Sequence, residues 1–198
     1  MRATVGTHGT HASRREKAFT LIELMVVVAV VAIIAMIAAP SFIDLILMQR
    51  LKGVSSQMTT DMQFARAEAA SRNLPTRVKF GNNTSLSCYV IYIGSLNGCT
   101  CTSSPVCGAG ATEIRSQQTP KELRVELKVL PRQATDFQFD PATGAMIIGV
   151  TDFRPADPNN FGIDALIDTS RTYRTIINPA GRPSVCKPSG STMAVPSC

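Results

Sequence analysis

A chain of 198 residues, 44% hydrophobic and 17% charged, has room for one globular domain and is too apolar to read as a disordered tail. Its formal charge of +6 is unevenly placed: Arg2, Arg14, Arg15 and Lys17 against Glu16 put +3 in the first 18 residues and leave +3 for all the rest. Both histidines, His8 and His11, also fall in that opening stretch. The remainder therefore holds no Ser/His or Cys/His pair, and it has no phosphate-cradling Gly-rich loop, so no enzyme and no cofactor are expected.

From Phe19 to Ala39 the only polar residues are Thr20 and Glu23. Twenty-one such residues are enough to cross a hydrocarbon core of roughly 30 Å. The basic residues upstream place 1–18 in the cytoplasm and send the bulk of the chain outward. An ordinary secretory signal closes its apolar run with a small-residue cleavage site, whereas here the small residue, Ala18, precedes the run. A plain signal anchor is the simplest alternative. Glu23 is chemically odd in this setting, because a charged side chain in hydrocarbon costs at least about 2.5–3.5 kcal/mol on insertion scales.

Beyond Pro40 the pattern stays helical. Ile43, Leu47, Leu51, Val54, Met58, Met62, Ala65 and Ala69 recur at steps of three or four and mark one apolar stripe. Asp44, Arg50, Lys52, Asp61, Arg66 and Glu68 read as lying largely off it. Asn73 and Pro75 end the helix, since a residue before proline is driven out of helical space. The spacing predicts a helix from Phe19 to about Asn73, roughly 80 Å at 1.5 Å per residue.

The rest reads as β. Strands are expected at Thr76–Phe80, with a turn at Gly81-Asn82-Asn83, and at Leu86–Ile93. Asn97–Ala111 reads as a loop of small residues held by cysteines. Further strands are expected at Glu122–Leu130, Asp136–Phe139 and, after a turn at Asp140–Gly144, Ala145–Val150. Asp152–Asn160 is a loop, and Phe161–Asp168 with Arg171–Asn178 form a last hairpin. The fold class is α+β: a helical spine with an antiparallel sheet, or two small sheets, packed on its distal half.

Six cysteines (88, 99, 101, 107, 186 and 198) all lie beyond the apolar segment, on the side where disulfides persist. Sequence alone permits fifteen pairings. Cys186 with Cys198 is the favoured pair, because it would staple the C-terminus, and Cys88, Cys99, Cys101 and Cys107 are left to pair among themselves. A metal reading of Cys99-x-Cys101-x5-Cys107 lacks paired CxxC spacing, so no metal is expected. Charge is segregated as well. Residues 113–168 hold six Lys/Arg against nine Asp/Glu, whereas 169–198 carry Arg171, Arg174, Arg182 and Lys187 with no acid.

The opening Lys17-Ala18-Phe19-Thr20-Leu21-Ile22-Glu23-Leu24 resembles the type IV prepilin signature of a basic leader, a small residue, then Phe-Thr-Leu-Ile-Glu-Leu. The resemblance implies that a prepilin peptidase cuts between Ala18 and Phe19 and methylates the new amino terminus. Family members usually carry Gly where this chain has Ala18. Glu23 then becomes the fifth mature residue, with a carboxylate that can pair with the charged amino terminus of a neighbouring Phe19 and so check assembly. Within that superfamily the chain is similar to the H-type pseudopilin and FimT-like minor pilin family. That similarity rests on Gln63-Phe64-Ala65-Arg66-Ala67-Glu68-Ala69, on Phe139-x4-Gly144, and on Asn178-Pro179-Ala180-Gly181-Arg182.

The resemblance implies a cytoplasmic leader, 1–18, and a helix half in membrane or filament core, 19–39. An amphipathic half, 40–75, and a periplasmic head, 76–198, follow. The partners it implies are prepilin peptidase, other pilin or pseudopilin subunits, the inner membrane and, for a DNA-uptake role, double-stranded DNA. Some FimT-like members bind DNA through Gly-Arg-x-Arg. Here Gly181-Arg182-Pro183-Ser184 keeps the first arginine, with Arg171, Arg174 and Lys187 as further candidates for non-specific phosphate contacts. A solvated basic surface is the competing reading. A minor pilin is the leading functional expectation, and an H-type pseudopilin of type II secretion is the alternative. A tip adhesin using the Cys99–Cys107 loop is a third reading.

Overall fold

A capped and then uninterrupted apolar run produces the first element, helix α1, Leu21–Arg72. The computed structural model describes residues 19–103, 106–131, 135–148 and 161–198; the expected leader, Ala18 and the Asp152–Asn160 loop lie outside them. Thr20 accepts a bond from the Glu23 N–H on its side-chain oxygen (3.3 Å) and one from the Leu24 N–H on its carbonyl (3.2 Å). Thr-Leu-Ile-Glu thus supplies the N-cap spacing of a capping box, a helix start embedded in the signature itself. The helix stops where Asn73 turns left-handed, at φ 52°, two residues before Pro75.

The chain divides into two units, Met1–Phe42 and Ile43–Cys198. In the first, the window Leu21–Ala38 has a mean hydropathy of 3.0, and none of it is buried. In the second, the helix continues to Arg72 and packs against β-structure.

The strands are β1 (Thr76–Asn82), β2 (Leu86–Gly94), β3 (Cys99–Thr100), β4 (Val106–Cys107), β5 (Ala111–Pro120), β6 (Glu126–Leu130), β7 (Asp136–Phe139), β8 (Met146–Ile148), β9 (Gly162–Leu166), β10 (Thr172–Ile177) and β11 (Pro183–Cys186). They form a five-stranded sheet, β5-β2-β1-β7-β8, a four-stranded sheet, β11-β10-β9-β6, and a ribbon, β3-β4, all antiparallel. The main core joins the helix stripe (Leu51, Met58, Met62, Ala65, Ala69) to Ile91 and Phe137 of the first sheet and Ile163 and Ile177 of the second. Phe137 sits edge-on to both Phe139 and Phe161, at centroid separations of 5.7 and 5.2 Å. A second cluster of Cys88, Val90, Tyr92, Cys99 and Cys101 packs behind β2. β2 is therefore covered on both faces, which explains its nearly unbroken apolar run.

Four expectations about the strands need correction. Asn97–Ala111, read as a loop, carries the short ribbon β3–β4. The segment from 111 to 120, left without a strand, is the ten-residue edge strand β5. Its sequence, Ala-Thr-Glu-Ile-Arg-Ser-Gln-Gln-Thr-Pro, has one large apolar side chain and no clear alternation. Backbone pairing with β2 from Leu86↔Pro120 to Gly94↔Ala111 supplies what the pattern lacks. The strand expected from Glu122 begins only at Glu126, because Lys121–Leu123 form a 3-10 turn closed by Arg124 at φ 59°. Finally, the hairpin β9–β10 is not the last: the chain turns at Gly181 (φ 73°) and adds β11 on the outer edge, where Pro183 is tolerated.

Candidate functional site

At the amino end, Phe19 is 80% exposed, and the large side chains Leu21, Ile22, Leu24 and Met25 are all more than half exposed. Glu23 sits among them. Its N–H caps onto Thr20, and its carboxylate has no ion-pair or hydrogen-bond partner among the described residues. The three features expected to act together, Phe19, Glu23 and the apolar run, therefore share one uncovered stretch of chain, Phe19 just ahead of the helix.

Asp61 is treated in the opposite way. Placed off the apolar stripe by its sequence position, it is fully buried, which corrects that expectation. Three side chains converge on it. The Tyr89 hydroxyl donates to Oδ2 at 2.6 Å, the Arg115 guanidinium to Oδ1 at 2.6 Å, and the Gln57 amide to Oδ1 at 3.1 Å. Arg115 in turn lies over the Phe64 ring, 4.4 Å from its centroid. Burial, reinforced by the adjoining Asp61 carboxylate, pushes the Tyr89 hydroxyl well above its ordinary pKa. The cluster ties α1 to β2 and β5. Neither Tyr89 nor Arg115 is near Asp61 in sequence, and Arg115 sits on the strand the pattern misses.

A second junction gathers the three later motifs at one place. Arg66 on α1 donates to the Gly144 carbonyl at 3.2 Å. A Cβ on Gly144 (φ 68°) would meet Arg66 Nε at 2.7 Å, and one on Gly181 (φ 73°) would collide with the Gly144 carbonyl. Met146 N–H donates to the Pro179 carbonyl at 3.3 Å. The helix end, the Phe139-x4-Gly144 turn and the Asn178–Arg182 turn thus interlock around one guanidinium, and both glycines are required by close approach as well as by conformation.

The cysteines form three bridges, Cys88–Cys101, Cys99–Cys107 and Cys186–Cys198. Among the described residues there is no His/Cys/Asp/Glu cluster able to hold a metal. The last bridge and the Ser191 hydroxyl, which donates to the Thr172 carbonyl at 2.8 Å, hold the C-terminal segment against the second sheet.

The basic candidates separate into two kinds. Arg174 forms a two-pronged pair with Asp164, at 2.7 and 2.8 Å, and the carboxylate raises its pKa further. Arg171 reaches Asp168 at 2.6 Å and Asp44 at 3.3 Å. Its guanidinium and the Ser170 hydroxyl lower Asp168 to a pKa of about 2. A segment without acids in sequence is therefore not acid-free in space, since β9, the β9–β10 turn and α1 supply them. Arg182 and Lys187 have no ion pair among the described residues, and Arg182 is exposed on its turn.

Two family models match. One, described as type II transport protein GspH, covers residues 55–181, and the other, a prokaryotic N-terminal methylation motif, covers residues 13–39. Among solved structures the chain is similar to the type IV minor pilin FimU of Pseudomonas aeruginosa in two crystal forms. One is 16% identical with a TM-score of 0.48, over 74% of this chain and 95% of that one. The other is 15% identical with a TM-score of 0.46, over 73% and 98%. No curated protein matches the sequence.

Proposed function

Because the chain belongs to the family of type II transport protein GspH and carries the N-terminal methylation motif, we propose that it is a minor subunit of a type IV pilus. In this reading prepilin peptidase cuts between Ala18 and Phe19 and methylates Phe19. The apolar helix then holds the chain in the inner membrane, with its head in the periplasm, until it joins other pilin subunits. The observation that carries the reading is the uncovered span Leu21–Ala38, in which Glu23 has no partner from the described residues. Such a surface requires bilayer or neighbouring helices around it, and an unpaired acid within it requires a cation. The charged amino terminus of an adjoining subunit supplies one. If so, Glu23→Ala leaves the chain in the membrane but removes it from sheared filaments; incorporation at the wild-type level would sink the assembly role.

A structural role is favoured over DNA uptake. Arg171 and Arg174 are already paired with carboxylates, so phosphate contacts would rest on Arg182 and Lys187. Two contacts support only weak, strongly salt-dependent binding. A gel-shift titration of the protein at low salt checks this: retention lost in Arg182→Ala would restore the uptake reading. The alternative, an H-type pseudopilin of type II secretion, uses the same helix and head. It is told apart by whether deleting the gene abolishes secretion or piliation.

A further inference from the structure

The flank of α1 that follows the apolar span is built of small residues, and it leaves a groove. The Thr59 hydroxyl meets the Thr175 hydroxyl at 3.3 Å, and beside this contact lies a cavity of about 240 Å³. Its walls include Lys52, Ser56 and Thr60 from the helix, Tyr173 and Val185 from the second sheet, and Val195 from the C-terminal segment. A cavity of about 150 Å³ already holds a benzene ring, so this one has room for large apolar side chains. Val195 is held in place by the Cys186–Cys198 bridge, which gives the stapled tail a use as a wall.

The same chain carries a feature of matching chemistry. Phe42, Ile43, Leu45 and Ile46 are exposed at 64, 54, 61 and 37%, and they lie beyond the membrane-length window that ends at Ala38. Asp44 stands in their midst with its side chain 71% exposed; Arg171 of the same chain engages one of its oxygens, Oδ1, at 3.3 Å, and Oδ2 has no partner among the described residues. The groove has Lys52 at its rim, a cation that suits the open oxygen of such a carboxylate. The patch cannot enter its own groove, because Ile46 and Lys52 stand about 9 Å apart along one helix. Pairing of patch with groove is therefore between molecules and heterologous, the kind of contact that propagates an open filament.

Resting on the filament reading above, we infer that this groove receives a helical segment of the adjoining subunit, one presenting large apolar side chains around a single carboxylate, as Phe42–Ile46 does. Contact with such a segment would cover both the valines and the hydroxyl-rich flank.

The test uses the full-length chain in cells that assemble filaments, with the photo-crosslinker p-benzoylphenylalanine in place of Ser56. The expected adduct, mapped by mass spectrometry, joins position 56 to the helical segment just after the apolar span of another subunit. The same probe in place of the exposed Gln117 on β5 should give no such adduct. Adding Lys52→Glu should lower the yield roughly two- to five-fold, as loss of one rim ion pair does. A filament that contains the chain but gives no adduct, adducts in a β-rich head, or a yield indifferent to Lys52→Glu overturns the inference. Absence of the wild-type chain from the filament fraction overturns the filament reading itself, and this inference with it.

Discussion

Glu23 and Asp61 lie on the same helix and meet opposite environments. Asp61 is buried by its own chain and satisfied by Tyr89, Arg115 and Gln57. Glu23 is surrounded by apolar side chains that the chain leaves open, and its carboxylate is unpartnered among the described residues. A buried acid with three donors belongs to folding. In the reading proposed above, an acid on an uncovered apolar helix takes its partner from another molecule. On that reading the two halves of α1 serve the head and the assembly separately, and mutations should divide along that line.

The largest stability effect is expected at Asp61. Replacing it with Ala strands the Tyr89 hydroxyl and one end of Arg115, and the loss should be about 3 kcal/mol, below the extreme for a buried pair because Arg115 keeps access to water. Urea denaturation of the detergent-solubilised protein reads it directly. Glu23→Ala in the same assay should stay within about 0.5 kcal/mol of wild type, as exposed substitutions do, while filament incorporation is lost. A destabilised Glu23→Ala head would erase the division.

Next in size is Gly181→Ala. It forces a side chain into positive φ and against the Gly144 carbonyl, for about 2 kcal/mol. The Arg66 junction lies in the head half, so membrane insertion should be unaffected. Tyr89→Phe should cost about 1 kcal/mol by leaving Asp61 Oδ2 without its hydroxyl donor. The smallest effect is one of pH. The folded pKa of Asp168 is held at about 2 by Arg171, below its unfolded value near 3.9. Its contribution to stability is therefore present above about pH 4 and fades as pH falls toward 2. It is a modest term for a solvent-accessible pair. Denaturation curves at pH 2, 3, 4 and 6 should show a shallower acid loss in Asp168→Asn than in wild type.

How far the sequence could be read depended on where each residue's partners lie. The helix was legible because its evidence is local: a capped start, an apolar period and a proline after its end. β7 and the turn after it were legible for the same reason, since Asp136–Phe139 alternates and Asp140-Pro141-Ala142-Thr143-Gly144 is strong turn chemistry. β5 was not, because a polar edge strand owes its conformation to hydrogen bonds with β2 rather than to its own pattern. Asp61 was misplaced because an acid on an apolar stripe becomes affordable only through Tyr89 and Arg115, 28 and 54 residues away. The basic tail misled likewise, as its neutralising carboxylates sit on other elements. Arg66, Gly144 and Gly181 were visible as motifs, but their meeting at one junction is a tertiary fact.

The claim that the uncovered half of α1 serves assembly is tested most directly by mass spectrometry of the chain recovered from sheared filaments. The account predicts an amino-terminal peptide that begins at Phe19 and carries one added methyl group. A filament-borne chain that retains residues 1–18, begins at some other position, or is missing from the filaments altogether would contradict it.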